Sequence, residues 1–197
     1  MLDFKTILSI IAIFITFIGY TPYFLDILKG KTRPHIFSWL VWGITTSIIF
    51  ALQLNAGAGP GSWATLAVTL IVFTIFFLGL KNGKKDIKKI DVIFFILALL
   101  ALPLWLIIKQ PVFSIILLTL VDILGFASTI RKSWDDPHSE TLLFYIITTF
   151  RHGLSFFALS TYNIVTWLSP VTWVVANALL GILLVARRRS KVLKNKN

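Results

Sequence analysis

The sequence predicts an all-α, polytopic membrane protein of seven transmembrane helices, built as two parallel three-helix repeats joined by a linker helix. Three observations carry this. The chain is 57% hydrophobic and 14% charged over 197 residues, more apolar surface than a soluble domain of that length can cover. Its charge-free runs have the length of bilayer spans, roughly 20 residues per helix. Two stretches 103 residues apart also match in one register. Ile27, Lys29, Pro34, His35, Trp42, Thr45 and Thr46 stand against Ile130, Lys132, Pro137, His138, Tyr145, Thr148 and Thr149. A shared period of that size marks an internal duplication.

Thr6 to Leu25 carries no charged residue and predicts a first helix over about 6–28. Ile36 to Leu80 carries none either, but the turn signal from Asn55 to Ser62, rich in glycine, cuts it. That gives helices over about 35–54 and 62–80. The basic stretch Lys81 to Lys89 precedes a fourth helix, about 90–108, around the clean run Val92 to Ile108. Pro111 opens the fifth, about 111–130, where its missing N–H costs nothing. The run Gly153 to Ala186 is interrupted at Ser160-Thr-Tyr-Asn163, which divides a sixth helix (about 140–160) from a seventh (about 164–186). Apolar and polar residues do not alternate as barrel strands require.

The expected organisation is 1–83 for the first repeat, 84–109 for the linker helix, 110–189 for the second repeat and 190–197 for a basic cytoplasmic tail. Copies of three helices joined directly would sit inverted in the membrane. A single linking helix makes them parallel, about a pseudo-two-fold along the membrane normal. With the N-terminus outside, 16 of the 19 basic residues fall on inner loops or the tail, Lys5 and Lys109 fall outside, and Arg151 lies within a helix. That asymmetry obeys the positive-inside rule. The net charge of +11 is therefore read as orientation and attraction to lipid headgroups rather than as a nucleic-acid surface. The expected location is the plasma (inner) membrane of a prokaryote, with the C-terminus cytoplasmic. No cleavable signal peptide is expected, because the first apolar run is too long and no small-residue cleavage site follows it.

Cysteine is absent, which removes disulfides, thiolate metal sites and Cys nucleophiles. No GxSxG, HExxH or phosphate-binding glycine loop is present, so the chain reads as a non-enzyme without cofactor or metal. His35 and His138 sit on separate repeats and lack the carboxylate or thiol company of a metal site. Gly57, Gly59 and Gly61 read as a flexible outer turn. Trp63, Trp105 and Trp167 read as interfacial belt residues.

The polar residues inside the second repeat are the sharpest local feature. Asp122, Arg151, His152 and Asn177 fall near the middle of helices 5, 6 and 7. Thr148, Arg151, His152 and Ser155 share one helix face by spacing. An ionised group at that depth is costly and must face protein or a water-filled cavity with a partner. An Asp122–Arg151 pair is the simplest closure. The pair either locks the second bundle or belongs to a solute site in which Arg151 binds an anionic group and Asp122 or His152 carries a proton. The first repeat has Gly19, Ile48 and Ile49 at the matching positions, so the fold itself does not demand the cluster. Trp42 and Trp173 are too deep for the belt and suit stacking on a ring or core packing.

The stretch Tyr20 to Trp39, with Pro22 near the inner end of helix 1 and a short Gly/Thr/Pro loop, resembles the SWEET/PQ-loop superfamily, including short bacterial members. The resemblance covers nearly the whole chain through its three-one-three helix order. No Pro-Gln pair is present. Thr21-Pro22 takes the first site, and Gly125-Phe126 the second. The resemblance implies a transporter fold with the N-terminus out, and Asn177 resembles the helix-7 asparagine that lines the sugar pocket in SWEET proteins.

The expected function is transport of a small polar or anionic solute by rocking of two bundles. The expected solute site comprises Trp42, Thr45, Thr46, Asp122, Thr148, Arg151, His152, Trp173 and Asn177. Pro22, Gly125 and Pro170 would bend as gates, with Asp26 as an inner latch. Proton coupling and a homo-oligomer are compatible with this. The alternative is a non-transporting receptor or assembly factor that uses the basic tail.

Overall fold

The computed structural model describes residues 3–30, 34, 36–82, 89–138 and 140–194. His35 and the loop residues Lys31, Arg33, Lys84, Lys85 and Lys88 lie outside the described residues. All secondary structure among the described residues is helical: α1 Phe4–Leu28, α2 Ile36–Asn55, a 3₁₀ turn Gly59–Ser62, α3 Trp63–Asn82, α4 Lys89–Leu106, α5 Pro111–Asp135, α6 Leu142–Phe157 and α7 Ile164–Lys194.

Among the described residues, four spans are long and apolar enough to cross a membrane: Phe4–Leu25, Ile36–Asn55, Gly59–Lys81 and Ile164–Ser190. The apolar stretches Val92–Leu106, Pro111–Phe126 and Leu142–Phe157 are shorter. These helices mark a membrane-embedded protein. Large apolar side chains such as Phe14, Phe77, Phe150 and Ile182 are exposed along them, as helices facing lipid require.

The helix ends have local causes. Asp3 caps α1 by accepting the Thr6 N–H at 3.1 Å. Gly30, at φ 68°, ends it by returning its N–H to the Ile27 carbonyl. α4 stops at Leu106, short of the expected 108, because Ile107 and Ile108 both turn back onto the Pro103 carbonyl. α5 continues past the expected 130 to Asp135, and α7 past 186 to Lys194. Charge limits a bilayer span, not a helix, and no breaker stands before Pro137. Residues 190–194 of the basic segment continue α7 as helix. α6 ends early, at Phe157, where Ala158 returns its N–H to the Leu154 carbonyl.

The packing has the same pattern at both ends of the chain. α3 packs on α1 and α2, and α7 packs on α5 and α6. Between these groups, α1 meets α6, and α2 meets α5 and α7. α4 packs on α5 and α2. Each group has its own apolar core. Trp39, Val68, Ile71, Val72 and Ile75 join α2 to α3, with Tyr20, Tyr23 and Phe24 of α1 packed on them. Phe126, Tyr145, Leu180 and Leu184 join α5, α6 and α7. A third cluster, including Ile49, Leu52, Ala98, Ala101, Ile115 and Leu118, fastens α4 to α2 and α5. The two alanines let α4 approach closely, and the Ser114 hydroxyl donates to the Ala101 carbonyl across that contact at 2.9 Å.

The glycine-rich turn is not loose. Gly57 and Gly59 take φ 79° and 58°, and Gly61 lies so near the α6–α7 connection that a Cβ would sit 2.8 Å from the Leu159 backbone. Gly61→Ala should therefore lower the melting temperature of the purified protein by overpacking, at a cost of about 1–3 kcal/mol. Gly153→Ala, where a Cβ meets nothing within 4 Å, should leave it unchanged or raise it. Equal melting of both variants would contradict the close approach.

Candidate functional site

Asp122, Thr45, Trp42 and Arg151 lie on the contacts between the two helix groups. On the α2–α5 contact, Asp122 of α5 is 3% exposed and faces the Thr45 hydroxyl of α2 and the Trp173 indole of α7. Its Oδ1 has no hydrogen-bond partner among the described residues. Thr45 is fully buried, and its hydroxyl donates to the Trp42 carbonyl at 3.1 Å. The indole nitrogen of Trp42 lies 3.8 Å from where a Cβ on Gly125 would stand. Gly125 thus makes room for Trp42 to reach across from the first group.

On the α1–α6 contact, Arg151 is 5% exposed. Its guanidinium meets the His152 ring, and its electrostatic neighbour is Tyr20 of α1. Its Nε is unpartnered among the described residues. Tyr20 also meets Phe144 edge-on at 5.8 Å. The two halves of the site are bridged by aromatic contact: His152 stacks on Trp173 at 6.0 Å and 15°, and Trp173 packs on Phe126 at 5.3 Å.

The expected Asp122–Arg151 ion pair does not form. The two groups sit on different inter-group contacts, each with a polar atom left open. The cluster is therefore not a closed lock. Two buried groups of opposite formal charge each keep an unused polar atom, Asp122 beside Trp173 and Arg151 one residue removed from it through His152.

Other expected residues play local parts. Thr46 and Thr149 donate to the carbonyls of Trp42 and Tyr145, both at 2.7 Å. Thr45 and Thr148 donate to the same two carbonyls at 3.1 and 3.2 Å. Residues in the shared 103-residue register thus make matching bonds, and these threonines spend their hydroxyl protons on their own helices. Asn177 donates to the Trp173 carbonyl at 2.7 Å and lines a lateral groove between α6 and α7 rather than the contact between the groups. α1 and α7 run unbroken through Pro22 and Pro170. The Asp26 latch falls on a side chain outside those described.

A second polar constellation escaped the sequence reading. Gln53 of α2 is 1% exposed. Its Oε1 accepts the Thr65 hydroxyl of α3 at 2.9 Å, and its Nε2 donates to the Thr166 carbonyl of α7 at 3.1 Å. Around it, Asn163 donates to the Ala56 carbonyl, the Ser160 N–H to the Ala58 carbonyl, and Lys5 to the Leu159 carbonyl. These bonds stitch the two groups together at one end. The clue was an amide inside a charge-free run, a group that must find partners.

Arg151 has an imidazole and a phenol for neighbours rather than a carboxylate. Burial without a counter-ion contributes little stability, and an apolar side chain of similar length often equals or exceeds it. Arg151→Met should melt at the same or a higher temperature. A loss of about 3–5 kcal/mol would instead make the guanidinium a structural member.

No family model matches this chain, and neither does any curated protein or solved structure.

Proposed function

We propose that this chain transports a small polar or anionic solute by alternating access between its two three-helix groups, α1–α3 and α5–α7. In this reading all the helices cross the membrane, the groups are parallel repeats of SWEET/PQ-loop type, and α4 is the linker. The N-terminus lies outside and the C-terminus in the cytoplasm of the cell that carries it. The observation that carries the reading is the placement of two of the three open buried polar atoms among the described residues, Asp122 Oδ1 and Arg151 Nε, on the two contacts where the groups meet; the third, Ser133 Oγ, is an uncharged hydroxyl on α5. A solute passing between the groups meets both ionisable groups. The matching helix pairings and threonine bonds support the repeat. The bonds around Gln53 support a closed gate at one end, and a carrier exposes its site at the other while that gate holds.

Arg151 is assigned to an anionic or strongly accepting group of the solute. Asp122, Thr45 and Trp173 form the opposing wall, and His152 holds the guanidinium in place. A panel of sugars, carboxylates, amino acids, nucleosides and vitamins, read as melting shifts of the purified protein, identifies the class. A binder at a hundredfold excess over Kd should stabilise by roughly 2.7 kcal/mol, and Arg151→Ala should abolish that shift while keeping its unliganded stability. A panel without any shift, combined with collapse of Arg151→Ala, would sink the proposal.

Proton coupling through Asp122 makes a separate prediction. Uptake into vesicles should vary between about pH 5 and pH 8, and Asp122→Asn should lose most of the rate. Full transport by Asp122→Asn, unchanged over that range, would remove Asp122 from the mechanism.

A further inference from the structure

A groove of about 540 Å³ opens on the flank of the second group, between α6 and α7. Its wall from α6 includes Tyr145 and Thr149, and its wall from α7 includes Asn177 and Gly181. A Cβ on Gly181 would meet nothing nearer than Leu142 at 3.8 Å, so the glycine leaves the groove open at mid-length. Phe150 and Ile182, 67% and 65% exposed, line it and face outward. On a membrane-embedded protein that flank looks into lipid.

Its cationic end is set by three consecutive arginines on α7. Arg187 donates to the Trp134 carbonyl at 3.1 Å and lies over the Trp134 ring at 4.6 Å. Arg188 donates to the carbonyls of Pro137 and Glu140, at 2.9 and 2.7 Å. These two tie α7 to the α5–α6 connection. Arg189 lines the groove and is exposed, and no hydrogen bond or ion pair holds it among the described residues. From Asn177 to Arg189 the helix rises about 18 Å, which suits an acyl chain lying along it with its headgroup at Arg189.

We infer that this groove binds one anionic phospholipid, its acyl chain between α6 and α7 and its phosphate on Arg189. The apolar walls exclude a soluble polar ligand, and the charge at the mouth selects a negative headgroup over a zwitterionic one. The site is independent of the solute site and of the direction in which the chain spans the membrane.

The test is a lipid titration of the full chain in neutral detergent, read by melting temperature. Phosphatidylglycerol and phosphatidylcholine with identical acyl chains are compared. Wild type should reach half-maximal stabilisation at about fivefold lower phosphatidylglycerol than phosphatidylcholine. Arg189→Gln should erase that difference. Lys29→Gln, which removes the same charge elsewhere, should keep it. Gly181→Leu, or Ala178→Leu if the first does not fold, should fill the groove and abolish stabilisation by both lipids. Three results would each overturn the site. Arg189→Gln could keep the preference, Lys29→Gln could lose as much as Arg189→Gln, or glycerol phosphate without an acyl chain could stabilise equally well. Dimerisation of the chain in place of lipid uptake would assign the groove to a second copy and overturn it as well.

Discussion

A side-chain amide buried among apolar helices must find partners on both its oxygen and its nitrogen, and Gln53 finds them on opposite sides of the molecule. Thr65 satisfies the oxygen within the first group, and the Thr166 carbonyl satisfies the nitrogen from the second. The rest of the junction follows from this. Asn163 accepts the first N–H groups of α7 on its Oδ1 while its Nδ2 reaches the Ala56 carbonyl. The glycines of the 3₁₀ turn allow the backbones to touch there. Two bundles, each with an apolar cluster of its own and a third shared through α2, α4, α5 and α7, are thereby held in one relation to each other at one end.

The site responds to that relation because Asp122 and Arg151 each face a residue of the other bundle as well as residues of their own. Asp122 faces Thr45 across α5 and α2, and Arg151 faces Tyr20 across α6 and α1. Any change in the angle between the groups alters both contacts together. The open atoms on Asp122 and Arg151 cost stability that an all-apolar interface would not lose. The Gln53 amide, by contrast, has a partner on both its oxygen and its nitrogen.

Much of the fold was legible because membrane helices write themselves in charge-free runs. The spans of α1, α2 and α3 and the break at Asn55–Ser62 stood in the sequence. The ends of α5 and α7 did not, because helices continue past the residues that leave the lipid. The shared register was informative at Thr45, Thr46, Thr148 and Thr149, whose hydroxyls make matching bonds. The site was legible only as a set of residues. Spacing put Asp122 and Arg151 at one depth and suggested that they pair, but depth does not fix which neighbour a helix face meets. Asn177 shares a helix face with Trp173 by spacing, yet it ends in the lateral groove. Gln53 was passed over beside more conspicuous charges, although burial makes an amide equally demanding of partners.

The central claim is that two bundles move about a site between them, with the Gln53 junction as one closed gate. The chain has no cysteine, so spin-label pairs can be placed without background at Asn55 with Thr161, and at Lys29 with His138, all exposed positions. Their distance distributions, measured by pulsed electron resonance in wild type and in Gln53→Ala, test the claim without knowledge of the solute. The account predicts that Gln53→Ala lengthens the Asn55–Thr161 distance and shortens the Lys29–His138 distance. A single distance at each end, unmoved by the substitution, would describe one rigid body and contradict it.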